Sequence, residues 1–164
     1  MSRPVEVILG EMLSEHGLWL AVAESSTGGL IGKFVTDVPG SSTYFKGGII
    51  AYSNDVKAHV LGVHLETLDT FGAVSEETVL EMAQGVRVKL GADIGLSVSG
   101  IAGPGGGTDE KPIGTTWIGL CTQQEKSAYS FVFDGDRHAI REKTAQTALK
   151  IVVDYLFEQT RVNS

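Results

Sequence analysis

The stretch Leu20-Ala21-Val22-Ala23-Glu24-Ser25-Ser26-Thr27-Gly28-Gly29-Leu30 admits few folds. Its first part, Trp19 to Ala23, is an apolar run of strand length. It stops at a polar turn of hydroxyls and glycines, and a helical pattern follows at once. A strand that hands over directly to a helix opens a βα unit. Its turn projects side chains and backbone N–H groups past the carboxyl end of the strand, where open α/β sheets bind ligands. The first helix amides lack internal partners and carry partial positive charge, which favours an anion or a developing oxyanion. Gly28 and Gly29 allow a substrate close to the backbone. Ser, Thr and Gly are also ordinary cap and turn residues, so the turn by itself reads both as cap and as site.

The remaining chain alternates in the same way. Pro4 to His16 carries an apolar stripe at Val5, Ile8, Leu9, Met12 and Leu13 and predicts a helix that Gly17 ends. A second helix is expected from Gly28 to Val35, then a strand from Tyr44 to Tyr52 with a glycine pair inside it. Ser53 suits the N-cap of a short helix, Asn54 to Leu61, and Leu65 to Phe71 reads as another helical turn. Ser75 suits the cap of a long helix ending at Leu90, with Glu76 and Glu77 in the first turn, where the macrodipole favours acids. A strand at Ile94 to Ser99 leads into the glycine-rich segment Gly100 to Ile113. Thr115 to Thr122 and Ser127 to Phe133 predict an antiparallel pair, too closely linked to be parallel. Asp136 caps a last helix from Arg137 to Glu158, and Thr160 to Ser164 are expected to fray. Interleaved helices and strands predict a three-layer α/β/α fold with a mixed, mostly parallel sheet. With 164 residues and no internal repeat, one domain over 1–164 is expected.

A net charge of −7 argues against sequence-independent binding of nucleic acid or an anionic membrane. The single cysteine, Cys121, excludes an internal disulfide framework and suits a reducing cytoplasm. No apolar run has the length of a membrane span, and the amino-terminal residues lack signal-peptide architecture.

Chemistry concentrates in four places. Beside the serine turn, Tyr52-Ser53-Asn54-Asp55-Val56-Lys57 places Tyr52 at N′ and Lys57 at N4 if Ser53 is the cap, the pair that meets in a hydrophobic staple. A phenol and an amine are unusual staple partners. Lys57 would lie where the helix dipole disfavours a cation, and partial burial would lower its pKa further, so a neutral lysine could act as general base. The alternative is a solvated lysine beside a rim tyrosine. A serine activated by lysine is a known variant of the Ser-His-Asp arrangement. His16, His59, His64 and His138 lie in no such turn and have no metal-ligand spacing. The third place, Ser99-Gly100-Ile101-Ala102-Gly103-Pro104-Gly105-Gly106-Gly107, follows a strand without the endings of a P-loop or a dinucleotide fingerprint. Its amides could cradle a phosphate, or it is a flexible connection. Asp134-Gly135-Asp136-Arg137, with Arg141 one turn on, offers guanidinium groups to a phosphate, or is a capped helix with exposed charges.

Six segments together, Ala23–Gly29, Gly47–Asn54 with Lys57, Gly72–Glu76, Ser99–Gly105, Lys111–Thr115 and Gly135–Arg137, resemble in order and spacing the CinA C-terminal domain family, over residues 5 to 157. The similarity is to its stand-alone nicotinamide mononucleotide (NMN) deamidases. The resemblance implies an amidohydrolase of pyridine nucleotide recycling that converts NMN to nicotinate mononucleotide and ammonia without metal or other cofactor. It implies a catalytic group of Ser25, Tyr52 and Lys57. Many members have Cys where this chain has Ser26, and many carry a larger amino-terminal domain, so a free-standing form is expected here. On this reading Ser26, Thr27, Gly28, Gly29, Asn54, Ser99, Gly100, Ile101, Ala102 and Gly103 line the substrate site. The phosphate is expected against Ser42 or Thr43, the 100–106 loop and Arg137 or Arg141. A cytoplasmic homo-oligomer is expected. The rival readings are a non-catalytic nucleotide-binding module linked to competence or DNA damage, and a hydrolase of another amide or ester.

Overall fold

The computed structural model describes residues 2–164. In chain order the elements are α1 (Val5–His16), β1 (Leu20–Glu24), α2 (Leu30–Thr36), β2 (Phe45–Ile50), α3 (Asn54–His59), α4 (Leu65–Phe71), α5 (Glu76–Leu90), β3 (Ile94–Gly100), β4 (Thr115–Cys121), β5 (Lys126–Val132) and α6 (Arg137–Val162). The strands form one five-stranded sheet in the order β2-β1-β3-β4-β5. β1 pairs in parallel with β2 and β3, and β4 pairs antiparallel with β3 and β5. The sheet is therefore mixed as expected, with β4 alone reversed and the pairings evenly divided.

Alternating side chains of the strands build a core on each face. Leu20, Val22, Leu96, Val98, Ile118 and Leu120 pack with Leu9 and Leu13 of α1, Ile31 of α2 and Leu149, Val152 and Leu156 of α6. On the other face the small Ala21 and Ala23 meet Met82 and Val86 of α5, Leu61 and Leu68. The strands also present Gly95 and Gly119 to α5. A Cβ at either would collide with the carbonyls of Ala83 and Val79, so these glycines let the helix lie directly on the sheet. Three layers result, as the alternation of elements predicts. No helix among the described residues is long and apolar enough to cross a membrane.

Several boundaries differ from the sequence expectations for local reasons. α2 begins at Leu30 rather than Gly28, because Gly28 and Gly29 take φ of 60° and 107°, outside the helical region. β2 ends at Ile50, although the Ala51 amide still bonds the Glu24 carbonyl at 2.7 Å. α3 is likewise shorter, ending at His59. The carboxyl-terminal residues do not fray at Thr160: α6 continues to Val162, with the Thr160 hydroxyl bonded to the Leu156 carbonyl at 3.0 Å.

The connection β1–α2–β2 leaves β1 towards one side of the sheet. The connection β2–α3–α4–α5–β3 returns to its other side. β1 is thus the point where the winding reverses, the position at which open α/β sheets form a crevice at their carboxyl end. Ser25 is the residue that follows β1.

Candidate active site

The turns after β1, β2 and β3 and the first residue of α6 meet at this end and enclose a cleft of about 300 Å³. The tie at its base runs between Ser25 and Lys57, 32 residues apart: the Lys57 Nζ donates to Ser25 Oγ at 2.9 Å and to the Tyr52 carbonyl at 3.2 Å. The local cause is the cap. Ser53 Oγ accepts the Val56 amide at 3.2 Å and starts α3 there, which turns Lys57 inward beneath the turn of β1. Lys57 is 1% exposed and is one of the largest fully buried side chains. Burial lowers its pKa from 10.5 to about 8, since removing an ammonium from water disfavours the charged form. Once neutral, the amine can accept the Ser25 proton across the same 2.9 Å contact, with the Tyr52 carbonyl orienting it.

Tyr52 meets Lys57 through its backbone carbonyl. The residue is 61% exposed at the rim, and its hydroxyl accepts from Arg137 Nη2 at 3.2 Å. The phenol is bonded to neither Ser25 nor Lys57, so a proton relay through it has no path in this arrangement. Arg137 also donates to the Gly103 carbonyl at 2.9 Å, joining the rim to the glycine-rich loop. Ser26, Asn54, Ser99, Gly100, Ile101, Ala102 and Gly103 line the cleft as expected from the sequence. The loop is pinned there by Ile101, whose amide donates to the Thr115 carbonyl at 2.9 Å and whose carbonyl accepts from Gly114 at 2.8 Å. No aspartate or glutamate lines the cleft, although the chain carries a net charge of −7.

Other expected residues stand elsewhere. Ser42 and Thr43 lie in the 3-10 turn before β2, at the opposite end of the sheet from the cleft, because residues that precede a parallel strand sit at its amino end. The side chain of Thr27 is turned to Glu24 instead, and Thr27, Gly28 and Gly29 are not among the residues that line the cleft. Arg141 does not line the cleft either: its Nε donates to the Ser26 carbonyl and its Nη2 to the Thr27 carbonyl, each at 2.9 Å. Gly105 and Gly106 of the expected 100–106 loop also line the cleft, and two further lining residues, Ala73 and Val74, were not among the expected ones. Ala73 and Val74 could have been found from Ser75, whose cap of α5 fixes the turn before it.

The residue with the most bonds at the turn is Glu24, to which the sequence assigned no role. It is 2% exposed. Its Oε1 accepts from Thr27 Oγ1 at 2.6 Å, Gly29 N at 3.2 Å and Ile31 N at 2.9 Å, and its Oε2 accepts from Gly32 N at 3.0 Å. A buried carboxylate so placed occupies the amino end of α2 from the preceding strand. The signal was an acid at the end of an apolar run, directly before a turn that opens a helix. The Gly28 and Leu30 amides bond the carbonyls of Ser25 and Thr27. Among the described residues, the turn amides without a protein partner are those of Ser25, Ser26 and Thr27.

Fold and site together define a doubly wound α/β domain with a buried serine–lysine pair at its winding reversal. The chain belongs to the CinA C-terminal domain family, which matches residues 2–156. A competence-damage inducible protein of Halothermothrix orenii is 56% identical over 94% of this chain and 37% of its own length. A CinA-like protein of Thermotoga maritima is 48% identical over 96% and 38%. The chain thus spans little more than a third of these relatives. Among solved structures, a competence-damaged protein (CinA) superfamily protein of Klebsiella pneumoniae superposes with a TM-score of 0.91 at 31% identity, covering 94% of this chain and 96% of that one. A competence/damage inducible protein of Agrobacterium tumefaciens gives 0.87 at 37% identity, with 94% and 96% covered.

Proposed function

We propose that the chain is an amidohydrolase with Ser25 as nucleophile and Lys57 as general base, acting on NMN. The observation that carries this reading is the 2.9 Å contact between a serine at a strand-end turn and a buried lysine whose pKa is lowered to about 8. Neutral Lys57 takes the Ser25 proton as Oγ attacks the carboxamide carbon. The oxyanion is held by the Ser26 and Thr27 amides; removal of one such donor typically costs about 10²–10³ in rate. Lys57 returns the proton to the nitrogen, the C–N bond breaks and ammonia leaves. Water then attacks the nicotinyl ester, with Lys57 as base again, and nicotinate mononucleotide is released.

The rim supports a substrate carrying both charges. Arg137 offers a guanidinium to a phosphate, and the exposed Tyr52 ring offers a π face to a pyridinium. The carboxylate-free lining favours an anionic substrate. The test is incubation of the purified protein with NMN, with ammonia and nicotinate mononucleotide measured, and Ser25→Ala alongside. Turnover by the wild type with loss of at least about 10³ in the variant is expected. Wild-type activity in Ser25→Ala would overturn the nucleophile. The competence and damage names belong to the relatives. No turnover, with NMN still raising the melting temperature, would favour a binding module of that kind.

A further inference from the structure

Two charged side chains grip the Ser25 turn from outside the cleft, and neither has a place in the reaction above. Glu24 accepts four hydrogen bonds, three on Oε1 from the Thr27 hydroxyl and the amides of Gly29 and Ile31 and one on Oε2 from the Gly32 amide. Arg141, on α6, takes the carbonyls of Ser26 and Thr27. The carboxylate thus gathers N–H groups and the guanidinium gathers C=O groups of a turn that contains two left-handed glycines and would otherwise be loose. We infer that Glu24 and Arg141 are positioning residues that hold the Ser25 turn in its reactive shape, Arg141 by aiming the Thr27 amide and Glu24 by anchoring the far side of the turn.

The geometry of one peptide unit carries the argument. The Ser26 carbonyl and the Thr27 N–H belong to the same planar trans peptide, so they point in opposite directions. Fixing the carbonyl on Arg141 Nε, which does not line the cleft, fixes the Thr27 N–H away from Arg141. Glu24 meanwhile consumes the α2 amides, so neither an oxyanion nor a phosphate can use that helix end, and stabilisation falls to the amides of Ser26 and Thr27. The bonds to a charged partner are stronger than neutral ones, which suits a clamp that must keep its shape during turnover.

This inference rests on Ser25 being the nucleophile, so the test uses a probe that does not depend on NMN. A fluorophosphonate reacts with an activated serine: the Oγ–P bond forms, the P–F bond breaks, fluoride leaves and the serine proton passes to Lys57. Labelling rates across pH are compared for wild type, Glu24→Gln, Arg141→Met and Arg141→Lys, with folded fraction from near-UV circular dichroism. The expected result is labelling slower by about tenfold or more in Glu24→Gln and Arg141→Met at full folded fraction. The pH midpoint should be unchanged, because Lys57 is untouched, and Arg141→Lys should recover part of the rate. Where NMN is turned over, kcat should fall with KM within about twofold. Folded variants labelling at the wild-type rate would overturn the inference and leave the nucleophile standing. A loss matching only the unfolded fraction would overturn it too. If Glu24→Gln does not fold, the Arg141 variants decide. Failure of the wild type to label at Ser25 would overturn the nucleophile and the inference with it. Labelling without NMN turnover would reject the substrate alone.

Discussion

Lys57 sits where lysines are rarely found, almost wholly out of water, with the Ser25 hydroxyl and the Tyr52 carbonyl as its hydrogen-bond partners. With its pKa lowered to about 8, it is largely protonated at pH 7 and neutral above pH 9. On the proposed reaction, the kcat/KM profile for NMN is expected to climb through a limb near pH 8 and then level off, and Lys57→Met should have no such limb. A limb that persists in the variant would remove Lys57 from the base role. At this scale the sequence is informative about position and less so about atoms. Ser53 as cap, with a cation at N4, singles out Lys57 from the order of residues alone. That order does not say which group of Tyr52 faces the amine, and the group is the carbonyl. Glu24 escapes notice because cap rules look at the residue beside the helix, whereas this carboxylate reaches α2 from the preceding strand.

Among the elements, α2 and α3 offer a controlled contrast. They have seven and six residues, lengths at which an isolated helix does not persist in water. α3 is capped by the hydroxyl of an exposed serine, α2 by a buried carboxylate. Amide hydrogen exchange should separate them, with Gly29, Ile31 and Gly32 protected nearly as well as Val22 and Ala23 of β1, and the Val56 amide exchanging faster. Equal exchange in the two helices would mean that the Glu24 bonds add nothing to local stability. Element identity was readable throughout, because apolar periods of 3.6 and 2 and the glycine stops agree with each other. Ends were less so: the left-handed pair Gly28 and Gly29 delays α2, and the last turn of α6 is closed by the Asn163 amide, which bonds the Gln159 carbonyl at 3.2 Å.

The whole molecule gathers the candidate site at one end of the sheet, and that organisation was only partly legible. Alternating elements implied layers, but the order β2-β1-β3-β4-β5 depends on pairings between distant segments that no local pattern specifies. Ser42 and Thr43 were misplaced on this account, since their hydroxyls suit a phosphate but their strand carries them to the wrong end. Burial of Lys57 also has a global effect. The unfolded chain titrates this group near 10.5 and the folded chain near 8. Between those values the unfolded state holds more protons, so stability rises as pH rises through the window. Below it the folded state carries a penalty of roughly 3 kcal/mol. Tyr44, whose buried hydroxyl is pushed up from 10.0, works in the opposite sense above pH 10. At pH 7, Lys57→Met is expected to unfold at a higher temperature than wild type, a gain on the order of 1–3 kcal/mol by denaturation. A lower melting temperature would contradict the penalty. On the proposed function, the demand for a base at position 57 and the demand for heat resistance pull in opposite directions. A library of this chain sorted only for survival on heating would accumulate apolar residues there, and its most robust members would be the ones that no longer carry an amine beside Ser25.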